Sequence, residues 1–426
     1  MTRLRATRQI RKILRQLLVG VLLAFALNGM GWLIGHLSLV RHLRAGTYDW
    51  LQSKLYPESK GRIPVAVVDI SNLRPVAVSR GVEATPRDRL IVLLKALIGL
   101  KPKAIGIDVD FSPDKGIYTT PSDPFFFKFC LDQRVPIFLG VYESQTQERV
   151  LNRPEFKKLA ASILVPYETS RIAQWLRSNP KSEEMLTMAG ALAKAFGSPV
   201  PKWPVAVPFA FELVSKRQLD GTTGVSVGEF YVDFSGLDAL RQTNTVALES
   251  RFFENQQLLT DVMTSHRKML EGSMVLIGDA EAPSSLDEFK VSGQRDPVPG
   301  VYIIASGAYT LLNAPLYGVK EPWAALIDSM IAIGLLLIVA ILKAVVQKPL
   351  DKKAERRLLA YLTGVSVVTL FIIAGLLIQW TRVVWDDFLL VSIILILHPS
   401  AEEGMHKLWR LCGGKRDVPI AETHPE

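Results

Sequence analysis

The sequence predicts an α/β domain with a mainly parallel sheet, held outside a membrane and carried on four transmembrane α-helices. Three observations support this reading. Short valine-rich apolar runs end in aspartate and are separated by an amphipathic helical pattern. Four longer apolar stretches lie near the two ends of the chain, and lysine and arginine gather on one side of each of them.

The chain of 426 residues is 49% hydrophobic, with a mean hydropathy of +0.21, high for a wholly soluble protein of ordinary charge content. Residues 17–40, LLVGVLLAFALNGMGWLIGHLSLV, carry no formal charge beyond the titratable His36. At 1.5 Å per residue such a stretch crosses a hydrocarbon core of about 30 Å. Trp323 to Val346, Leu358 to Trp380 and a weaker stretch from Val383 to Leu397 are the other three spans. The weaker one has Asp386 and Asp387 near its start.

Basic loops are retained on the cytoplasmic side. Six Lys or Arg residues from Arg3 to Arg15 precede the first span, another group runs from Lys343 to Arg357, and Lys407, Arg410, Lys415 and Arg416 follow the fourth. The turn between the third and fourth spans has only Arg382. Segments 1–16, 347–357 and 401–426 are therefore expected inside, 41–322 outside, and 381–400 to contain a short turn and the weaker span. The expected site is the inner membrane of a bacterium, with the first span an uncleaved signal anchor. The +9 net charge then faces anionic lipid head groups in the bilayer rather than nucleic acid. Cys130 and Cys412 fall on opposite sides and cannot pair.

Within 41–322, "IPVAVVDIS" (63–71) reads as a buried strand closed by Asp69. In "ATPRDRLIVLLKALIGLKPKAIGIDVDFS", Thr85 is the expected N-cap and Pro86 the first helical residue. Leu90, Leu93, Leu94, Leu97 and Ile98 make one apolar face, and Gly99 and Pro102 end the helix. A strand follows from Ala104, so strand, helix and strand form a right-handed βαβ unit. A helix near 125–132, strands at 135–142 and 274–280 and a helix at 300–313 complete the pattern. The absence of alternation means a sheet covered on both faces. The middle, 143–271, predicts helices near 183–196 and 206–217 and strands in "VSVGEFYVDFSG".

Ligands of open parallel sheets settle beyond the carboxyl ends of the strands. Asp69, Asp108, Asp110 and Asp279 fall at such ends, and Asp287 follows. They line a ligand site, or they satisfy nearby backbone N–H groups. "DVDFS" also superficially resembles the D-x-D-x-T motif of haloacid-dehalogenase-like phosphatases, in which the first carboxylate attacks phosphorus and the second shuttles a proton. Position 112 is Ser, however, and Pro283 stands where the later acid belongs, so no catalytic residue, metal or cofactor is expected. "GVSVG" (224–228) spells G-x-S-x-G but opens a strand-like stretch, whereas a nucleophile elbow turns from strand into helix. His266 stands alone.

Asp328, Asp386 and Asp387 sit within or beside spans, where a carboxylate is costly, and are candidates for coupling the outer domain to the helices. Asn28, Gly31 and Gly35 share a face of the first span and suit close helix contact, hence a homo-oligomer.

The outer region resembles the CHASE domain of type 2, an extracellular sensory domain associated with cyclases and histidine kinases. The resemblance rests on "GTYDWLQSKL" after the first span, "PVAVVDIS", "TPRDRLIVLLKAL" with "KAIGIDVDF", and the closing "EGSMVLIGDA", "LDEF" and "VPGVYIIASGAYTLL". One span before the domain and three after it match as well. This chain lacks the family's tryptophan-rich segment before the helix, and it has Ile304 and Ala305 where many members carry His-Ala. The resemblance implies a sensor. With about 26 residues after Ser400, no output domain is expected, so the signal would pass to a separate partner contacting 343–357 and 401–426. The competing expectation is a self-associating membrane scaffold.

Overall fold

The computed structural model describes most of residues 63–318, apart from the main breaks at 112–119, 142–153, 164–170, 178–184, 198–215, 219–224 and 282–287, together with scattered positions in 330–338, 361–376 and 383–384. The chain divides into two compact units. One comprises Ala45–Lys320 with Thr381–Val384, and the other Met1–Arg44, Glu321–Trp380 and Trp385–Glu426.

In the first unit, strand β1 (Val65–Asp69) leads through a short hairpin, Val76–Ser79 with Val82–Ala84, to helix α1 (Arg87–Gly99) and strand β2 (Ala104–Asp110). Helix α2 (Asp123–Leu131), β3 (Ile137–Val141) and β4 (Ala160–Ser162) follow. Then come β5 (Arg171–Ile172), α3 (Met188–Phe196), β6 (Phe230–Tyr231), α4 (Leu237–Thr243), β7 (Thr245–Ala247), α5 (Gln256–Ser265), β8 (Met274–Gly278), α6 (Gly300–Asn313), β9 (Leu316–Gly318) and β10 (Val383–Val384). Six strands pair in the order β7-β1-β8-β2-β3-β4, and every pairing is parallel.

The sheet is covered on both faces, as uninterrupted apolar strands require. All five residues of β1 and all five of β8 are buried. Ala66, Val68, Ile105, Ile107, Val275 and Ile277 meet α1, α2 and α5, while Val65, Val67, Ala104, Met274 and Leu276 meet α3, α4 and α6. Leu90, Leu93, Leu94 and Leu97 of α1 are wholly buried, each side chain contributing about 1.5–3 kcal/mol by its removal from water.

Several expectations shift on folding. Helix α1 starts one residue later than its capping pattern suggests. Pro86, extended at ψ 119°, is the N-cap and makes no side-chain cap bond, while the Thr85 carbonyl accepts from Arg87 Nη1 at 2.9 Å. The helix expected from 183 begins at Met188, because Met185–Leu186 pair antiparallel with Trp175–Arg177. Thr187 Oγ1 then caps it, accepting from Gly190 N at 3.2 Å. Of the helix expected at 206–217, residues 206–215 lie outside the described residues, and Lys216–Gln218 form a strand against Val225–Val227. Ser226 therefore sits mid-strand, and "GVSVG" is not an elbow.

The first expected span lies outside the described residues, and the others are represented by isolated positions. Among the described residues no helix is long and apolar enough to cross a membrane. Val383 and Val384, expected at the start of the fourth span, instead form β10, which suits β-branched residues.

Candidate functional site

Register places three of the expected aspartates at one edge of the sheet. Asp69 of β1 is level with Gly278 of β8, and the neighbouring pair Ile277–Ile107 puts Asp108 of β2 level with that same glycine. Asp69 and Asp108 thus stand two strands apart, roughly 10 Å by strand spacing, with Asp279 following Gly278. Asp110 is exposed two residues beyond Asp108. Asp287, Asp328, Asp386, Asp387, Asn28, Gly31 and Gly35 lie outside the described residues.

Gly278 is a glycine for a steric reason. An added Cβ would come within 2.8 Å of Val301 Cγ2 and 3.0 Å of Asp108 Cβ. The first turn of α6 therefore packs down on the strand end beside Asp108, and Asp108 stays half-buried there.

A break in pairing aims the end of β2. Ile107 pairs with Leu139 and Asp110 with Gly140, so Asp108 and Val109 form a bulge. Bulges re-aim side chains, and they recur beside functional sites. Gly140 makes this one possible, because the Val109 carbonyl oxygen lies 2.4 Å from where its Cβ would be. Phe111 N then closes the ladder on Gly140 O at 2.9 Å.

Asp69 is engaged in holding backbone. It is 3% exposed, and its Oδ1 accepts from Ser71 N at 2.9 Å and Ala280 N at 3.1 Å, tying the turn after β1 to the turn after β8. Asp279 Oδ1 accepts from Glu281 N at 3.0 Å, again closing a local turn. These bonds answer part of the question raised by the sequence: two of the strand-end carboxylates satisfy backbone N–H groups.

Two polar groups here escape sequence reasoning. Tyr302 of α6 lies behind the β7–β1 edge, its hydroxyl 3.2 Å from Thr245 Oγ1. Burial pushes its phenol up, the Thr245 bond pulls it down, the Asp69 carboxylate raises it and Arg241 lowers it. On the opposite face, Arg87 Nε donates to Asp123 Oδ1 at 2.7 Å with both side chains almost fully buried. Asp123 also accepts from Thr120 N at 3.0 Å and Thr120 Oγ1 at 2.8 Å, while the guanidinium lies 4.4 Å from the centre of the Phe111 ring. This group joins the first residues of α1 and α2 to the residue that follows β2. The only sequence hint for Asp123 was its place beside a proline at a helix start.

Among the described residues no cluster of three or more His, Cys, Asp or Glu side chains is placed to hold a metal ion. His266 ends α5, its Nδ1 2.9 Å from Val262 O, a local helix-end contact.

The edge therefore has a sealed side, built on Arg87, Asp123 and Phe111, and a more open line formed by Asp108, Asp110 and Asp279. No curated protein and no solved structure matches the chain. The model of the CHASE2 domain matches residues 19–343, well over half of the sequence. The strand ends and helices described above all fall within that stretch except β10, and the chain belongs to the CHASE2 domain family.

Proposed function

We propose that this is a bacterial inner-membrane sensory protein whose outer domain binds a signal at the carboxyl edge of its parallel sheet and passes it to a separate partner. CHASE2 is a family of extracellular sensory domains. The observation that carries the reading further is the bulge at Asp108–Val109, which breaks the β2–β3 pairing beside the first turn of α6. Asp108 and Asp279 are the proposed ligand contacts, with Asp69 as their buried support and Asp287, outside the described residues, as a further candidate.

Membrane anchoring is supported by the helical positions of the second unit. Val368 and Ile372 are 59% and 57% exposed while Leu370 between them is fully buried, and Tyr361, Val365 and Leu376 are also exposed at helical spacing. Apolar side chains facing outward from a helix are what a lipid surroundings requires. In this reading both termini and the basic loop 347–357 are cytoplasmic, and Asp328, Asp386 and Asp387 couple the outer domain to the spans.

Binding rather than turnover is the proposed chemistry. Cross-linking followed by affinity purification in mild detergent should recover a stoichiometric cytoplasmic or membrane partner. Recovery of none, with and without envelope stress, would refute the relay. Asp108→Asn should leave the fold intact; phosphate-ester turnover that this change abolishes would replace a sensor with an enzyme. A self-associating scaffold is the alternative. Among the described residues no atom lies within 4 Å of a Cβ added at Gly334, Gly364 or Gly375, which favours it, since such glycines admit a second helix. Particle mass in nanodiscs decides, a strict monomer excluding the scaffold.

A further inference from the structure

The small sheet β10-β9-β6-β5 contains a strand from far along the chain. β5, β6 and β9 pair antiparallel, but β10 joins β9 in parallel, Tyr317 level with Val383 and Gly318 with Val384. Thr381–Val384 belong to the same compact unit as Ala45–Lys320, although they lie beyond the 19–343 stretch that the family model matches.

This sheet is fastened to the main helix of the domain. β9 begins three residues after α6 ends. Asp233, two residues past β6, donates its N–H to Thr310 Oγ1 of α6 at 2.8 Å, and that hydroxyl donates to Ser306 O at 2.7 Å. α6 is buried from Gly300 to Leu311. α6, whose first turn rests beside Asp108, is thus joined to β9 along the chain and to β6 through Thr310.

We propose that Thr381–Val384 are a clasp that returns the apolar stretch 323–380 to the sensory domain at its far end. The domain then holds that stretch at both ends, and α6 moves both together. The inference rests on the membrane-sensor reading for its meaning. It also constrains that reading: pairing of 317–318 with 383–384 requires residues 319–382 to leave and return on one side of the membrane, an even number of crossings. The two apolar stretches 323–346 and 358–380 supply two.

The test uses the full chain in native membranes, with Cys412→Ser leaving buried Cys130 as the sole native thiol. Tyr317→Cys with Val383→Cys, and separately Gly318→Cys with Val384→Cys, place thiols in register; Tyr317→Cys with Asp387→Cys is out of register. After mild oxidation, mass spectrometry of tryptic peptides should find the in-register links at least about fivefold above the control, as disulfide geometry demands. Links no higher than the control, with Cys130 still protected from a maleimide, overturn the clasp. If the paired variants expose Cys130, hydrogen exchange on the unmodified chain decides: protected amides in 383–384 uphold it, and unprotected ones overturn it. Arg382→Cys separates the two ideas. Links with labelling by an impermeant maleimide only after permeabilisation uphold the clasp and overturn the orientation; labelling from outside without links does the reverse.

Discussion

Among the described residues of the α/β domain, Arg87 and Asp123 form an ion pair that is almost fully buried on both sides. A buried ion pair gains little over an apolar pair of the same volume, but losing one member strands the other charge. Asp123→Asn or Arg87→Met is therefore expected to destabilise the domain by about 3–5 kcal/mol. The double change to apolar residues should recover much of this, and denaturant melts in detergent would measure the difference. Equal loss in single and double variants would mean that the pair is not what holds the two helix starts.

Cys130 gives a pH prediction at the same scale. Burial pushes its thiol from 9.0 up to about 12. The folded state keeps the proton while the unfolded chain loses it, so stability falls as pH rises between those values, by at most about 1.4 kcal/mol per pH unit. Below pH 9 the thiol contributes no slope. Cys130→Ala should flatten the alkaline limb of a stability profile, and the native thiol should resist labelling until the domain unfolds. Ready labelling at neutral pH would show the α2 face to be open.

At the scale of elements, glycines mark where strands approach closely. A methyl on Gly140 meets the carbonyl oxygen of Val109, which is backbone and cannot swing aside. Gly140→Ala is expected to cost about 1–3 kcal/mol and to disturb the Asp108 bulge. Gly106→Ala meets the Met188 Sδ at 2.7 Å, together with leucine methyls, the ends of flexible side chains, so its effect should be the smaller. Thermal melts of the two variants check the order, and a reversed order would remove the bulge from the account of the site. Element boundaries follow the same logic. The helix after Thr85 was legible from its leucines, but its first residue was set by the extended Pro86 and by Arg87 reaching Asp123, a partner 36 residues away.

For the whole molecule, the orientation read from lysine and arginine has a direct check. With Cys412 replaced, Asp279→Cys should label in intact cells with an impermeant maleimide, and Lys353→Cys only after permeabilisation. The opposite pattern would invert the topology and move the sheet edge to the cytoplasm. Asp279→Cys removes the turn bond to Glu281 N, worth about 1 kcal/mol.

The sequence by itself determined the kind of layer and the family. Runs such as "VAVVD" and "MVLIG" are apolar without alternation because both sheet faces are covered, and that local composition needs no knowledge of partners. The helix at 300–313 was legible from end to end for the same reason. Tertiary structure alone decided the strand order, which slots β8 between β1 and β2 and so sets Asp69, Gly278 and Asp108 level. It also decided that Asp69 holds two turns, that Arg87 meets Asp123, and that Val383 and Val384 form a strand. Each of these depends on pairing between segments distant in the chain, where register and burial choose the partner and local pattern carries no information about it.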